Sequence, residues 1–285
     1  MWKSRKSTLI GRNALSKGFS ILFLLVFAAF IIVPFLWMIT ASLRQPIRAF
    51  DWPPRLIPTD EVSLRSYQVV FEKVDFGMFI WNSIKVAVLT TAIYVISAGM
   101  AAYAFARLRF PGSRVLFMVF LSAMMIPGQV TSIPRFIMMS RLHLINSHVA
   151  LYLPAIFGVF GIFLIRQFMM TIPPSFDEAA YIDGANRFYC FLRIIVPMSK
   201  PALMVIGIQT FIASWNDFYN PLIYINSISR MTLPLGLTAL RGMLDAVNQS
   251  AIIASVMIMM IAPLLFYIFG QRYLIEGINL GGLKA

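Results

Sequence analysis

Six stretches of this chain run without a single Asp, Glu, Lys or Arg, and their spacing limits the fold more than any other feature. They span residues 18–43, 86–106, 115–134, 142–165, 201–216 and 246–271. An α-helix rises 1.5 Å per residue, so about 20 mostly apolar residues cross a hydrocarbon layer of ~30 Å. Five of the stretches meet that length. The 201–216 stretch is shorter, but it continues to Ser229 with Asp217 as its one charge, which puts Asp217 toward one end of a span. In lipid every backbone N–H and C=O must be satisfied internally, so such segments cross as helices. The expected fold is all-α, a polytopic membrane protein with about six transmembrane helices.

Composition agrees. Hydrophobic residues make up 59% of the chain and charged residues 12%, too little polar surface for a water-soluble domain of this size. The net charge of +13, from 24 Lys and Arg against 11 Asp and Glu, lacks the polar basic domain that a nucleic-acid partner requires, so none is expected. The charge instead sets orientation. With the N-terminus inside, the inner segments 1–17, 107–114, 166–200 and 272–285 hold fourteen of the 24 Lys and Arg. Both termini are therefore expected in the cytoplasm. The basic start Lys3, Arg5, Lys6, Arg12 and Lys17 precedes an apolar run longer than a signal peptide's, so 18–43 reads as an uncleaved first helix. The division that follows is a basic N-terminus (1–17), first helix (18–43), extracytoplasmic loop (44–85), a five-helix core (86–271) containing a cytoplasmic loop (166–200), and a cytoplasmic tail (272–285).

Inside the second stretch, Ser97, Ala98, Gly99, Ala101, Ala102 and Ala104 let helix backbones approach closely, so this helix belongs in the interior of a bundle. Pro34, Pro127, Pro154 and Pro263 are expected to bend the other spans. The single Cys190 and the two histidines, His143 and His148, do not make a metal or disulfide framework, and no metal site is expected.

The 166–200 loop carries the most information. Pro173-Pro174 stops the fourth helix, and Ser175 three residues before Glu178 has the form of a capping box, in which each side chain accepts from the other residue's N–H. A two-turn helix follows through Ala179 and Ala180 to Gly184, where a left-handed residue can end it. Phe188, Phe191, Leu192 and Ile195 then recur at helical spacing, which predicts one apolar face laid on the membrane interface. So short a helix is marginal alone. It either docks in a groove of another protein or packs on its own bundle.

The run Glu178-Ala179-Ala180, Gly184, Ile194 and Val196-Pro197 resembles the EAA loop of bacterial ABC importer permeases, with Val196 where leucine is usual. Ala102-Tyr103-Ala104-Phe105-Ala106-Arg107, Phe110-Pro111-Gly112, Ser214-Trp215-Asn216-Asp217, Gln271-Arg272 and the Gly-rich tail resemble the smaller permease of the maltose-type carbohydrate branch. That resemblance implies an importer in the bacterial cytoplasmic membrane. Its parts would be this permease, a homologous second permease, two cytoplasmic ATPases and an extracytoplasmic solute-binding protein. It implies an ATPase contact at Ser175, Glu178, Ala179, Ala180 and Gly184, and a tail contact at Gly281 and Gly282. Trp215, Asn216 and Asp217 are candidates for the solute pathway, and a sugar or oligosaccharide is the implied cargo. The chain has no Gly-x-x-x-x-Gly-Lys-Ser/Thr loop, so ATP and Mg belong to the partner subunits and no enzyme activity is expected of this chain.

Two other classes fit less well. A secondary transporter or channel working without an ATPase would carry intramembrane charges for its coupling ion, and Asp217 is the one such residue. An intramembrane enzyme would need His-Glu-x-x-His or Gly-x-Ser-x-Gly, and the sequence has neither.

Overall fold

The computed structural model describes residues 4–45, 62–243 and 248–282, with side chains over 17–45, 62–242 and 248–271. The elements in chain order are helices α1 (Ser4–Ser42), α2 (Arg65–Lys73), α3 (Phe76–Arg107), α4 (Ser113–Ala123), α5 (Ser132–Arg141) and α6 (Val149–Tyr152). After a 3-10 turn over Leu153–Phe157 come α7 (Val159–Thr171), α8 (Ser175–Ile182) and α9 (Arg187–Cys190). A π turn over Phe191–Ile195 leads into α10 (Val196–Met198), α11 (Lys200–Trp215) and α12 (Tyr219–Tyr224), and a 3-10 turn over Ile228–Arg230 precedes α13 (Leu233–Met243) and α14 (Gln249–Gly282). Among the described residues there is no strand. The fold is helical and polytopic, as the charge spacing indicates.

By length and composition four helices can cross a membrane, over Lys17–Ser42, Phe76–Arg107, Val149–Thr171 and Gln249–Gln271. A fifth candidate is the pair Arg187–Met198 and Lys200–Trp215, bent by 76°. The apolar stretch 115–134 is not one helix. It holds the 11-residue α4, turns through Met124–Thr131, and enters α5, because Pro127 has no N–H to continue a helical ladder and Gly128 follows it. The fourth span is shifted too. It ends at Thr171, not at Arg166, whose Nε donates to the Phe105 carbonyl (3.2 Å) and whose guanidinium lies 4.2 Å from the Phe117 ring centre. The glycine-rich segment expected to be a separate tail continues α14 as helix to Gly282.

The described chain divides into two compact units, residues 1–74 with 240–258, and 75–239 with 259–285. In the first, α2 is tied to the end of α1. Ser42 and Tyr67 share a hydroxyl hydrogen bond (2.9 Å), Ser66 donates to the Arg44 carbonyl (2.8 Å), and Ala41 and Val70 are fully buried. The Trp52-Pro53-Pro54 part of the outer loop lies outside the described residues.

In the second unit α3 is the central post. Asp75 caps it by accepting from the Met78 N–H (3.1 Å), and its small-residue face, Ala98, Gly99 and Ala102, is buried against α7 and α11. This interior position follows from the sequence, since a Cβ on Gly99 would already touch Leu203 at 3.6 Å. The core joins Ala98, Ala102, Ile162, Ile165, Met169 and Ile206 to Ala180, Phe191 and Ile195 of the hairpin beyond α7.

Candidate functional site

The hairpin begins where Pro173-Pro174 ends α7. Proline fixes its own φ near the helical value, and the Pro174 carbonyl accepts from the N–H groups of Asp177 (2.9 Å) and Glu178 (3.1 Å). Pro174 therefore takes the N-cap position, Ser175 stands inside the first turn, and no side chain caps α8. The expected Ser175–Glu178 capping box is absent because the proline carbonyl already starts the ladder. The C-terminal end is as expected. Gly184 has φ +83°, its N–H donates to the Tyr181 carbonyl (3.1 Å), and the Ala185 N–H donates to the Ala180 carbonyl (2.9 Å). These two bonds form a Schellman cap, which needs a residue at ease in the left-handed region. Asn186 then starts α9 by accepting from the Tyr189 N–H (2.8 Å).

One side of the hairpin is fastened to α3. The Arg107 Nε lies 3.2 Å from Asp177 Oδ2, both side chains are about nine-tenths buried, and Arg107 Nη2 donates to the Ile172 carbonyl (2.7 Å). The Cys190 thiol donates to Asp177 Oδ1 (3.0 Å), and the Tyr103 hydroxyl donates to the Arg187 carbonyl (3.2 Å). Asp177 and Glu178 also stand in the first turn of α8, where the helix dipole favours negative charge.

The opposite side is open. Ser175, Glu178, Ala179 and Gly184 are exposed, whereas Ala180 is buried in the bundle's own core. Around the exposed ones stand large side chains that the motif does not include: Phe176, Tyr181, Phe188, Tyr189 and Ile182, the last 86% exposed. The expected single apolar stripe does not form. Phe191 and Ile195 are buried while Phe188 and Leu192 face outward, and a π turn, wider than an α turn, runs over Phe191–Ile195. The fastening residues Arg107, Asp177 and Cys190 were not legible as a group. The only hint is an acid and the chain's single thiol thirteen residues apart in one loop.

The other sequence candidates separate. Trp215 is almost fully buried, donates through Nε1 to the Met259 carbonyl (3.0 Å), and does not line the cavity that Asp217 lines. Asn216 caps α11 and donates to the Ile212 carbonyl (3.0 Å). Asp217 lies just past α11, accepts from the Asn220 backbone (3.1 Å) and side chain (2.7 Å), and lines a cavity of about 390 Å³. Gly281 and Gly282 form the last turn of α14. A second cavity of about 370 Å³ is lined by Lys85, His148 and Arg230 among others. Burial lowers the His148 pKa below 6.5, while its Nε2 donates to the Arg230 carbonyl (2.8 Å).

A family model described as binding-protein-dependent transport system inner membrane component matches residues 95–279. The chain is 33% identical over 267 residues to the arabinooligosaccharides transport system permease protein AraQ of Halalkalibacterium halodurans, covering 91% of this chain and 94% of that protein. It is 31% identical over 240 residues to the osmoprotective compounds uptake permease protein GgtD of Synechocystis, covering 82% and 78%. The fold is shared, at a TM-score of 0.79 and 21% identity over 92% of this chain and 97% of the other, with a chain of a bacterial ABC transporter involved in the import of the acidic polysaccharide alginate.

Proposed function

The chain belongs to the family of binding-protein-dependent transport system inner membrane components, and on that premise we propose how it works as the permease subunit of an ABC importer. It pairs with a homologous permease in the bacterial cytoplasmic membrane, takes a sugar, oligosaccharide or polyol derivative from an extracytoplasmic binding protein, and is driven by two ATPase subunits. ATP and Mg reside in those ATPases. The named cargoes of its relatives, arabino-oligosaccharides and osmoprotective compounds, support this class of solute.

One observation carries the coupling part of the proposal: the α8 hairpin is two-sided. Its inner side is bonded to α3 through Arg107 and Asp177, and its outer side presents Phe176, Tyr181 and Ile182 beside Glu178 and Ala179. Exposed apolar groups clustered on a short, internally braced helix suit a docking contact. A push received there is passed to a transmembrane helix, not absorbed by a slack loop. Gly281 and Gly282 are the proposed second contact with the ATPase pair.

The test is to purify this chain from membranes and look for an ABC ATPase bound to it, then to measure ATP hydrolysis in vesicles with and without solute-loaded binding protein. Ile182→Asp is expected to remove the ATPase or abolish the stimulation while the chain still inserts. Transport by this chain alone, with no ATPase present, would overturn the proposal.

A further inference from the structure

The 390 Å³ cavity is walled by α3, α6 and the 3-10 turn over Leu153–Phe157, α11 and the α11–α12 turn, with Arg135 from α5. Seven of its residues are polar: Thr90, Tyr94, Arg135, Thr210, Ser214, Asp217 and Asn220. Thr90 and Tyr94 sit near the middle of the 32-residue α3, roughly 21–27 Å along it from Phe76. Hydrocarbon does not tolerate such a lining, so this wall faces water, solute or protein.

The chemistry of the wall selects among occupants. The Thr90 Oγ1 has no hydrogen-bond partner and almost no accessible surface, so it meets a polar occupant only when its side chain rotates toward the cavity, and such a contact would relieve the cost of its burial. Arg135 uses Nη2 on Thr131 Oγ1 (2.8 Å), which leaves most of its five donors free. The Tyr94 hydroxyl accepts from the Gly161 N–H (3.0 Å) and keeps its own proton to donate. A Cβ at Gly158 or Gly161 would collide with the Tyr94 ring, so these two glycines hold the tyrosine in place. Asp217 is the one carboxylate, and Asn220 already donates to both of its oxygens. That is no cage for a cation, which takes six or more oxygens. Arg135 balances Asp217, so the wall has no net charge with which to select an anion. What remains is a set of donors, acceptors and groups that are both, which suits hydroxyls, since each of them donates and accepts.

We propose that this cavity is a subsite for a neutral polyhydroxylated solute, to which this chain contributes the residues named above. The proposal rests on the importer reading and adds to it the contact residues and the charge class of the cargo.

The single cysteine, Cys190, is fully buried, so cysteines placed at Thr90 and Ser214 report on the cavity. In the assembled importer in nanodiscs, T90C and S214C would be labelled with a water-soluble methanethiosulfonate reagent. Labelling would be repeated with a panel of neutral mono- to trisaccharides and neutral polyols, and with a uronic-acid trisaccharide. One neutral solute is expected to slow labelling about tenfold at ten times its Kd. In uptake assays Thr90→Val is expected to raise KM while Thr90→Ser keeps it. No labelling, no protection by any neutral solute, stronger protection by the uronic-acid probe, or an unchanged KM in Thr90→Val would each overturn the subsite. Solute-stimulated ATP hydrolysis by the unsubstituted importer is measured in parallel. If it is present and protection is absent, the subsite alone fails; if no ATPase associates, the importer reading fails.

Discussion

Arg107 and Asp177 leave water together. Dehydrating two charges costs several kcal/mol each and is offset only while they face one another. Removing one partner is therefore worse than removing both. Arg107→Met is expected to lower stability by about 3–5 kcal/mol, and Arg107→Met with Asp177→Leu to recover most of it. Thermal unfolding of the purified complex reads this directly, and a single variant as stable as the parent would show that the pair fixes nothing. His148 behaves in the opposite way to a histidine that gains a partner. Burial holds its folded pKa below 6.5, so the unfolded chain takes the proton first as the medium is acidified. The stability it contributes is complete above 6.5 and is lost as pH falls from 6.5 through the folded value. Between about pH 8 and about pH 5.5 the parent should lose more thermal stability than His148→Gln; equal losses would exclude the histidine as the cause.

Among the elements, α3 and α7 meet where Gly158 and Gly161 give room to the Tyr94 ring. Overpacking of a filled interior costs about 1–3 kcal/mol. Gly161→Ala is expected to cost that much in unfolding experiments and to displace the tyrosine, with uptake reduced. Gly184 is the contrasting case, because nothing lies within 4 Å of a Cβ placed there. Gly184→Val strains only the backbone, by about 1–2 kcal/mol. Solute-stimulated ATP hydrolysis should fall while insertion is unchanged, and normal hydrolysis would mean that the cap has no part in coupling. Both the positive φ at Gly184 and the interior place of α3 could be read from sequence, because each depends on residue types within one element. The start of α8 could not, since Ser175 and Pro174 compete for the same orphan N–H groups and only the backbone decides which wins. Nor could the π turn. Helical spacing of Phe188, Phe191, Leu192 and Ile195 assumes a uniform 3.6-residue period, and the wide turn over Phe191–Ile195 interrupts it. The Arg107–Asp177–Cys190 group joins positions far apart in the chain, and no local pattern announces such a meeting.

For the molecule as a whole the charge bias makes the sharpest prediction. Arg107 lies against Asp177, so both ends of the segment between them are on one side and the apolar stretch through α4 must cross as well as α7; reporters fused after Arg107 and after Asn186 are therefore expected to read cytoplasm, and one at Met243 the outside. A cytoplasmic reading at Met243 would overturn the topology. The same fusions give a sense of direction to the corner at Ser199. There the segment Arg187–Met198 meets Lys200–Trp215 at 76°, and Ser199 is fully buried, its N–H shared between the Ile195 (2.8 Å) and Val196 (3.1 Å) carbonyls. Were the two arms to turn as one rigid piece about this tight elbow, they would make a bell crank. The arms are roughly 18 Å and 24 Å long at 1.5 Å per residue, so a stroke of about 1 Å at the tip of the first arm swings the tip of the second by about 1.3 Å, and turns its line of travel through most of a right angle. Pivoting of this kind would convert a sideways tug at the rim of the bilayer into motion deep within it, with no bond broken along the way.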